Sequence, residues 1–188
     1  MFYKFIDLPN LSQIQTDVLN FVNSSEYALE PNEAHSIRFA DLWENVQSLV
    51  DAVETICAWQ HVKYIAFATT WPRTFGTTPH KDSVTDDTEY PWALNIPIAN
   101  WQQTYVNFYN LEKAVIGNTC IHGQDIYQYP CTNFDEQDIE LIETVCLNRP
   151  AFFNTREIHS PINYTSKARH IISVRFHVDL RTYNLGLV

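Results

Sequence analysis

Apolar residues recur at helical spacing twice before residue 60 and at strand spacing almost everywhere after it. From Leu11 they run through Ile14, Val18 and Phe21, and from Leu42 through Val46, Leu49, Val53 and Ile56. Each segment predicts a helix with one face to bury, the second with Asp41 available as a cap. From Val62 the pattern changes to short apolar runs, VKYIAFAT, WALNIPI, TYVNFYN, KAVIG and DIYQYP, with FGTTPHKDS between the first two. Pro, Gly, Asn and Thr punctuate them, and runs of that length with such breaks predict antiparallel strands. A third helix is expected around Asp135 to Leu147, with Ile139, Ile142 and Cys146 on one face, and then two strands in PAFFNTREIHSP and ARHIISVRFHVDL. That order predicts a mostly β fold with flanking helices, built as a barrel-like or jelly-roll sandwich. No repeat or low-complexity tract divides the chain. One domain over 1–188 is expected, with a helical part over about 1–60 and the β core over about 60–180.

Composition adds exclusions. Hydrophobic residues make up 45% and aromatic residues 14% of the 188, which suits a folded core and favours sheet. Formal net charge is -10 and no basic run interrupts it. Phosphate binding rests on Lys and Arg, so nucleic acid is an unfavoured partner. No apolar run reaches the roughly 18 residues of a membrane-crossing helix, and MFYKFIDLPNLSQ lacks the apolar centre of a signal peptide. A cytoplasmic location away from membranes is the expectation. Cys57, Cys120, Cys131 and Cys146 are widely spaced with no C-x-x-C pair, a pattern of reduced, mostly buried thiols rather than a zinc or disulfide framework.

The chemistry concentrates in two stretches. In PHKDS, His80 and Asp82 are two apart, and on a strand residues i and i+2 share a face, so an imidazole and a carboxylate can reach one metal. In FFNTREIHSPINYTSKARHIISVRF, His159 ends an apolar strand and Arg169 follows ten residues later at the start of the next. Two histidines and one carboxylate suit non-haem Fe(II), because they leave coordination positions for a co-substrate and O2. A guanidinium nearby suits a carboxylate ligand, since its planar fork binds both oxygens.

In that order and spacing, His80-x-Asp82, His159 and Arg169 resemble the motif of the Fe(II)/2-oxoglutarate-dependent dioxygenases. The resemblance implies a double-stranded β-helix, a cupin-like jelly roll, over about residues 60–180. The piece H-S-P-I-N-Y-T-S-K-A-R, with Asn163 four after the distal histidine, looks most like the proline hydroxylase and aspartyl/asparaginyl β-hydroxylase branches. Phe152 and Phe153 ahead of the histidine strand look like the prolyl hydroxylases. Carried over, His80, Asp82 and His159 hold Fe(II) and Arg169 pairs with the distal carboxylate of 2-oxoglutarate. Asn95 and Tyr64 become co-substrate contacts, and Trp71 and Arg73 substrate contacts. O2 and 2-oxoglutarate are then consumed, and succinate and CO2 released, as an amino acid, peptide side chain or other small molecule is hydroxylated.

Several features stay open at this level. Arg175 is a rival anchor for the co-substrate, because six residues along one strand keep it on the face of Arg169. The 79 residues from His80 to His159 imply an insertion, around Ile116 to Cys131. Asn95 also suits a polar residue satisfying a barrel neighbour, and Trp71 one packing in the core or at the rim. His35, His61, His122, His170 and His177 lack a partnered carboxylate and read as ordinary core or surface residues. Asp86, Asp87 and Glu89 read as a solvated acidic cluster, or as recognition of a cationic substrate. The competing functions are a catalytically silent jelly-roll binding or assembly domain, and a cupin-like metalloenzyme that does not use 2-oxoglutarate.

Overall fold

The structure is a computed structural model, described for residues 1–24, 34–73, 78–82, 91–112, 117–122 and 129–187, with the backbone alone at 34–36, 39, 118–122 and 129–130. Two antiparallel sheets of six strands make up most of it. One sheet runs β1 (Tyr3–Phe5), β10 (Ala151–Asn154), β5 (Trp92–Ala99), β12 (Arg169–Phe176), β3 (Val62–Thr70) and β2 (Ala34–Ile37). The other runs β7 (Asn118–His122), β8 (Tyr129–Asn133), β4 (His80–Lys81), β11 (Ile158–Asn163), β6 (Thr104–Leu111) and β9 (Ile139–Val145).

Three helices cover the outer face of the first sheet. α1 (Leu11–Ser24) buries Ile14, Val18 and Val22, successive positions on one helical face. Phe21 is only partly buried, and Val22 takes the place expected of it. The second expected helix is two, α2 (Phe39–Asn45) and α3 (Gln47–Glu54), broken where Val46 takes φ -134° and ψ 55°. Leu42, Val46, Leu49 and Val53 are nevertheless all buried, so their spacing records the core rather than one unbroken helix. Asp41 does not cap α2. It lies inside the first turn and accepts a hydrogen bond from Arg38 Nε at 2.8 Å.

Ile65 and Phe67 on β3, Leu94 and Ile96 on β5, and Ile172, Val174 and Phe176 on β12 join the helices in one buried cluster. Strand alternation turns the residues between them the other way, toward the second sheet. These inward positions are Tyr64, Ala66, Ala68 and Thr70 on β3, Ala93 and Asn95 on β5, and Arg169, Ile171, Ser173 and Arg175 on β12. A second apolar cluster bridges the sheets through Val106, Phe108, Val145, Ala151 and Phe153. Phe152 and Phe153 are therefore core residues of opposite faces.

The helix expected over Asp135 to Leu147 is absent. A short 3-10 turn, Glu136–Asp138, leads into β9, which pairs with β6. Ile139 and Val145 are buried while Leu141 and Ile142 are exposed, so the helical spacing of apolar residues here does not mark a buried face. Pairing with β6 and a β-branched composition decide the conformation. KAVIG and DIYQYP lie largely outside the described residues; β7 follows the first, and β8 begins at Tyr129 within the second. The β7–β8 hairpin is part of the expected insertion, and it pairs with β4 through His80 and Asn133.

Reduced thiols throughout were also expected, but Cys131 is disulfide-bonded. Its register partner on β7 is Cys120, and directly opposed antiparallel residues fall within bridging distance whatever their separation in sequence. Cys57 and Cys146 are free. Among the described residues no helix is long and apolar enough to cross a membrane.

Asn163 has a structural task. Its Nδ2 donates to Thr70 O at 3.0 Å and Lys167 O at 2.8 Å, while its Oδ1 accepts from Thr165 N and Thr165 Oγ1 at 2.9 and 2.8 Å. One fully buried amide thus ties the end of β3 to the β11–β12 turn. Asn163→Ala leaves several of those groups unsatisfied, and should cost about 2–4 kcal/mol, lowering the melting temperature by about 5–12 °C. Thermal denaturation followed by circular dichroism checks this, and a shift within about 2 °C of wild type would contradict it.

Candidate metal centre

β4 and β11 are neighbours, with His80 directly opposite His159. Pairing thereby brings together two side chains far apart in sequence, and the ring centroids lie 4.6 Å apart. Asp82 follows β4, and its backbone N–H donates to Thr155 O at 3.0 Å. Thr155, buried between β10 and β11, in turn donates from N and Oγ1 to Pro91 O at 2.7 and 3.0 Å. One residue therefore pins the chain at Asp82 and again at the threshold of β5.

Asp82 Oδ1 lies 3.3 Å from His80 Nε2 and 3.7 Å from His159 Nε2. The three donor atoms fall within 4.8 Å of one another, the one such His/Cys/Asp/Glu group among the described residues. Ligands about 2.0–2.2 Å from an ion and at right angles stand about 3 Å apart, so the set must contract to hold one, least between Asp82 and His80. The tautomers agree. His80 Nδ1 lies 2.7 Å from Thr78 O and His159 Nδ1 2.8 Å from Glu157 O. A carbonyl can only accept, so each Nδ1 carries the proton, and in the neutral ring Nε2 keeps its lone pair for a metal. Phe153 meets the His159 ring edge-on at 4.6 Å and limits its rotation.

Burial alone would raise the Asp82 carboxyl, but Arg175, His159 and His80 together hold it well below the usual carboxylate range. Arg175 Nη2 donates to Asp82 Oδ2 at 2.5 Å from the facing sheet. Burial pushes His159 down to about 4. It works against the charged form of His80 too, but the contact with Asp82 overrides it and the pKa is raised. Carboxylate and imidazoles are thus tuned as a group rather than singly.

Arg169, the expected anchor, opens β12 on its inward face and is 2% exposed. Its Nε has no hydrogen-bond partner and no carboxylate pairs with it among the described residues. Burial pushes its pKa down to about 10. Asn95 and Ser173, register partners across β5 and β12, bury Oδ1 and Oγ without partners among the described residues. Tyr64 lies opposite Arg175 on β3, half-buried. Trp71 and Arg73 lie beyond the end of β3 and are exposed; Arg73 takes φ 54° and donates its N–H to Thr165 O.

The structure thus gathers His80, Asp82, His159 and Arg175 into contact, and sets Arg169, Asn95 and Tyr64 on inward faces of the same sheet. Sequence reasoning missed Ser173 and Thr155. Ser173 was within reach of the alternation that links Arg169 to Arg175, whereas nothing local marks Thr155. His61 pairs with the Tyr183 hydroxyl at 2.8 Å, and His170 with Thr69 Oγ1 at 3.0 Å while stacking on Phe67, as ordinary residues do. The side chains of His35 and His122, together with Asp86, Asp87 and Glu89, lie outside the described residues.

Neither a family model nor a curated protein matches the chain. Among solved structures it is similar, at TM-score 0.49 and 13% identity, to the non-heme alpha ketoglutarate dependent carbocyclase SnoK from nogalamycin biosynthesis, over 92% of this chain and 78% of that one. It is also similar, at TM-score 0.40 and 10% identity, to the non-heme monooxygenase ThoJ, over 92% of this chain and 72% of that one. Likenesses this distant carry no functional argument, which rests on the site.

A divalent ion and a proton compete for His80 Nε2. Because the His80 pKa is raised above 6.5, Co(II) affinity should fall as the pH decreases through that raised pKa, by roughly tenfold per pH unit below it. His159, at about 4, adds a second step only in acid. Calorimetric titration between about pH 8 and pH 6 reads the slope, and a flat profile would remove His80 from the ligand set.

Proposed function

We propose that this chain is an Fe(II)- and 2-oxoglutarate-dependent dioxygenase that hydroxylates an amino acid, a peptide side chain or another small molecule. The observation that carries the reading is Arg169. A guanidinium buried without a counter-ion costs several kcal/mol, and an arriving carboxylate offsets that cost. It lies on the inward face of the same strand whose Arg175 reaches the metal carboxylate.

Strand order supports a double-stranded β-helix. Take β3, β4, β5, β6, β9, β10, β11 and β12 as first to eighth. Sixth, third, eighth and first then lie side by side in one sheet, and second, seventh, fourth and fifth in the other. That is the pairing of a hairpin wound into a jelly roll. The donor set fits Fe(II), because two imidazoles and one carboxylate leave about three of six positions to other ligands. When bound, the ion and 2-oxoglutarate supply the oxidising chemistry, with O2 consumed and succinate and CO2 released.

The chain's own residues bind, orient and exclude. The carbonyls of Thr78 and Glu157 hold both imidazoles with Nε2 toward the centre, and Arg175 holds Asp82. Arg169 takes the distal carboxylate through its planar fork. Asn95 and Ser173 offer unspent polar atoms between the two arginines, and Tyr64 adds a hydroxyl beside Arg175. Phe108 and Phe153 form an apolar wall that keeps water from the imidazoles. Trp71 and Arg73, exposed past the end of β3, are where substrate is met.

Under anaerobic conditions, Fe(II) plus 2-oxoglutarate should give a visible charge-transfer band, and with O2 admitted a metabolite and peptide screen should show succinate release. Arg169→Ala should weaken 2-oxoglutarate binding roughly a hundredfold, a loss of about 3 kcal/mol, with Co(II) affinity unchanged. Metal binding by the wild type with no response to 2-oxoglutarate would defeat the reading, and favour a binding domain or a metalloenzyme that uses no oxo-acid.

A further inference from the structure

We infer that Arg175 is a positioning residue that claims one oxygen of Asp82 and so commits this carboxylate to single-oxygen ligation of the metal. The inference rests on the metal-centre reading of His80, Asp82 and His159, and needs nothing from the co-substrate. It explains why a second arginine, partly buried, stands on β12, six residues from Arg169, without serving the same anion.

The geometry divides the carboxylate in two. Oδ2 accepts from Arg175 Nη2 at 2.5 Å, while Oδ1 is turned to His80 Nε2 and His159 Nε2 at 3.3 and 3.7 Å. The contact spans the sandwich, since Arg175 lies on β12 and Asp82 follows β4 of the other sheet. Space for the long side chain is provided on the sheet it leaves. Its inward neighbour on β5 is Ala93, fully buried and ending at Cβ.

The backbone cannot compensate by turning. Asp82 N–H is held by Thr155 O at 3.0 Å, and Thr155 is itself held at Pro91. With the main chain held at Asp82 N–H and Oδ2 engaged, the side-chain rotation that would bring both oxygens onto one ion breaks a partly buried charged hydrogen bond. The functional consequence is a matter of coordination number. A two-oxygen carboxylate and two imidazoles would fill about four of six positions, leaving too few for a chelating ligand and one more. Arginine suits the task better than lysine because its rigid planar fork fixes direction as well as charge.

Mn(II) is the probe, with its bound-water number read by water-proton relaxation. The expected result is about three exchangeable waters in wild type and in Arg175→Lys, and about two in Arg175→Met, where Asp82 turns both oxygens to the ion. About three in Arg175→Met would overturn the inference. A merely structural arginine would alter the melting temperature without altering the water number. Should Arg175→Met fail to fold, infrared difference spectra of wild type with 13C-labelled aspartate decide the matter. On Mn(II) binding, widely split carboxylate stretches are expected for one-oxygen ligation, and narrowly split ones would overturn the inference. Failure of the wild type to bind Mn(II) at all would overturn the metal-centre reading and this inference with it, an outcome distinct from an unchanged water number.

Discussion

An ionised carboxylate taken into a protein interior must find charge and hydrogen bonds there, because leaving water costs several kcal/mol that packing cannot return. Asp82 is the point where this fold meets that demand. It receives Arg175 from the facing sheet, two imidazoles from adjacent strands and a backbone clamp from Thr155. No one element supplies more than part of this. The two sheets must therefore close on each other at this point, with β4 and β11 side by side and β12 across from them.

β12 shows how a single strand serves both the core and the site. Ile172, Val174 and Phe176 anchor it among the helices, while Arg169, Ser173 and Arg175 alternate with them toward the second sheet. The apolar face supplies the burial that offsets the polar one, at about 1.5–3 kcal/mol for each large side chain removed from water. The two arginines then differ in what they face. Arg175 has its carboxylate within the chain, and Arg169 has none among the described residues. An internal ion pair organises a site before ligands arrive, whereas a buried cation lacking one favours the arrival of an anion.

The grouping of His80, Asp82 and His159 was legible because its signal is local. His80 and Asp82 two apart, and His159 at the end of an apolar run, report face and strand without reference to the rest of the chain. Alternation likewise put Arg169 and Arg175 on one face. It was silent on what each would touch, since Asp82 approaches Arg175 only through the closure of two sheets. Features governed by distant partners were hidden for the same reason. β9 carries a helix-like spacing at Ile139 and Ile142, but β6 pairs with it and leaves Ile142 in solvent. β1 and β2 are too short to declare themselves and exist by pairing with β10 and β3. The break at Val46 leaves Leu42, Val46, Leu49 and Val53 all buried on either side of it, so no pattern of hydrophobicity could have marked it.

The long separation of the two histidines acquires a physical meaning in this light. β4 is two residues long, and a strand that short has little stability of its own. Without the β7–β8 hairpin it would be an edge strand, paired on one side to His159 alone. The hairpin makes it internal, pairing His80 with Asn133 and Lys81 with Thr132, while Phe134 N–H donates to Pro79 O at 2.9 Å just ahead of the histidine. Gly117, at the hairpin's start, packs so close to Thr132 and Asn133 that a Cβ there would collide with both, which fits a hairpin pressed against this part of the sheet. Closing a longer loop costs little extra entropy, about 0.6 kcal/mol for each doubling of length, and that small cost is set against main-chain pairing on either side of His80.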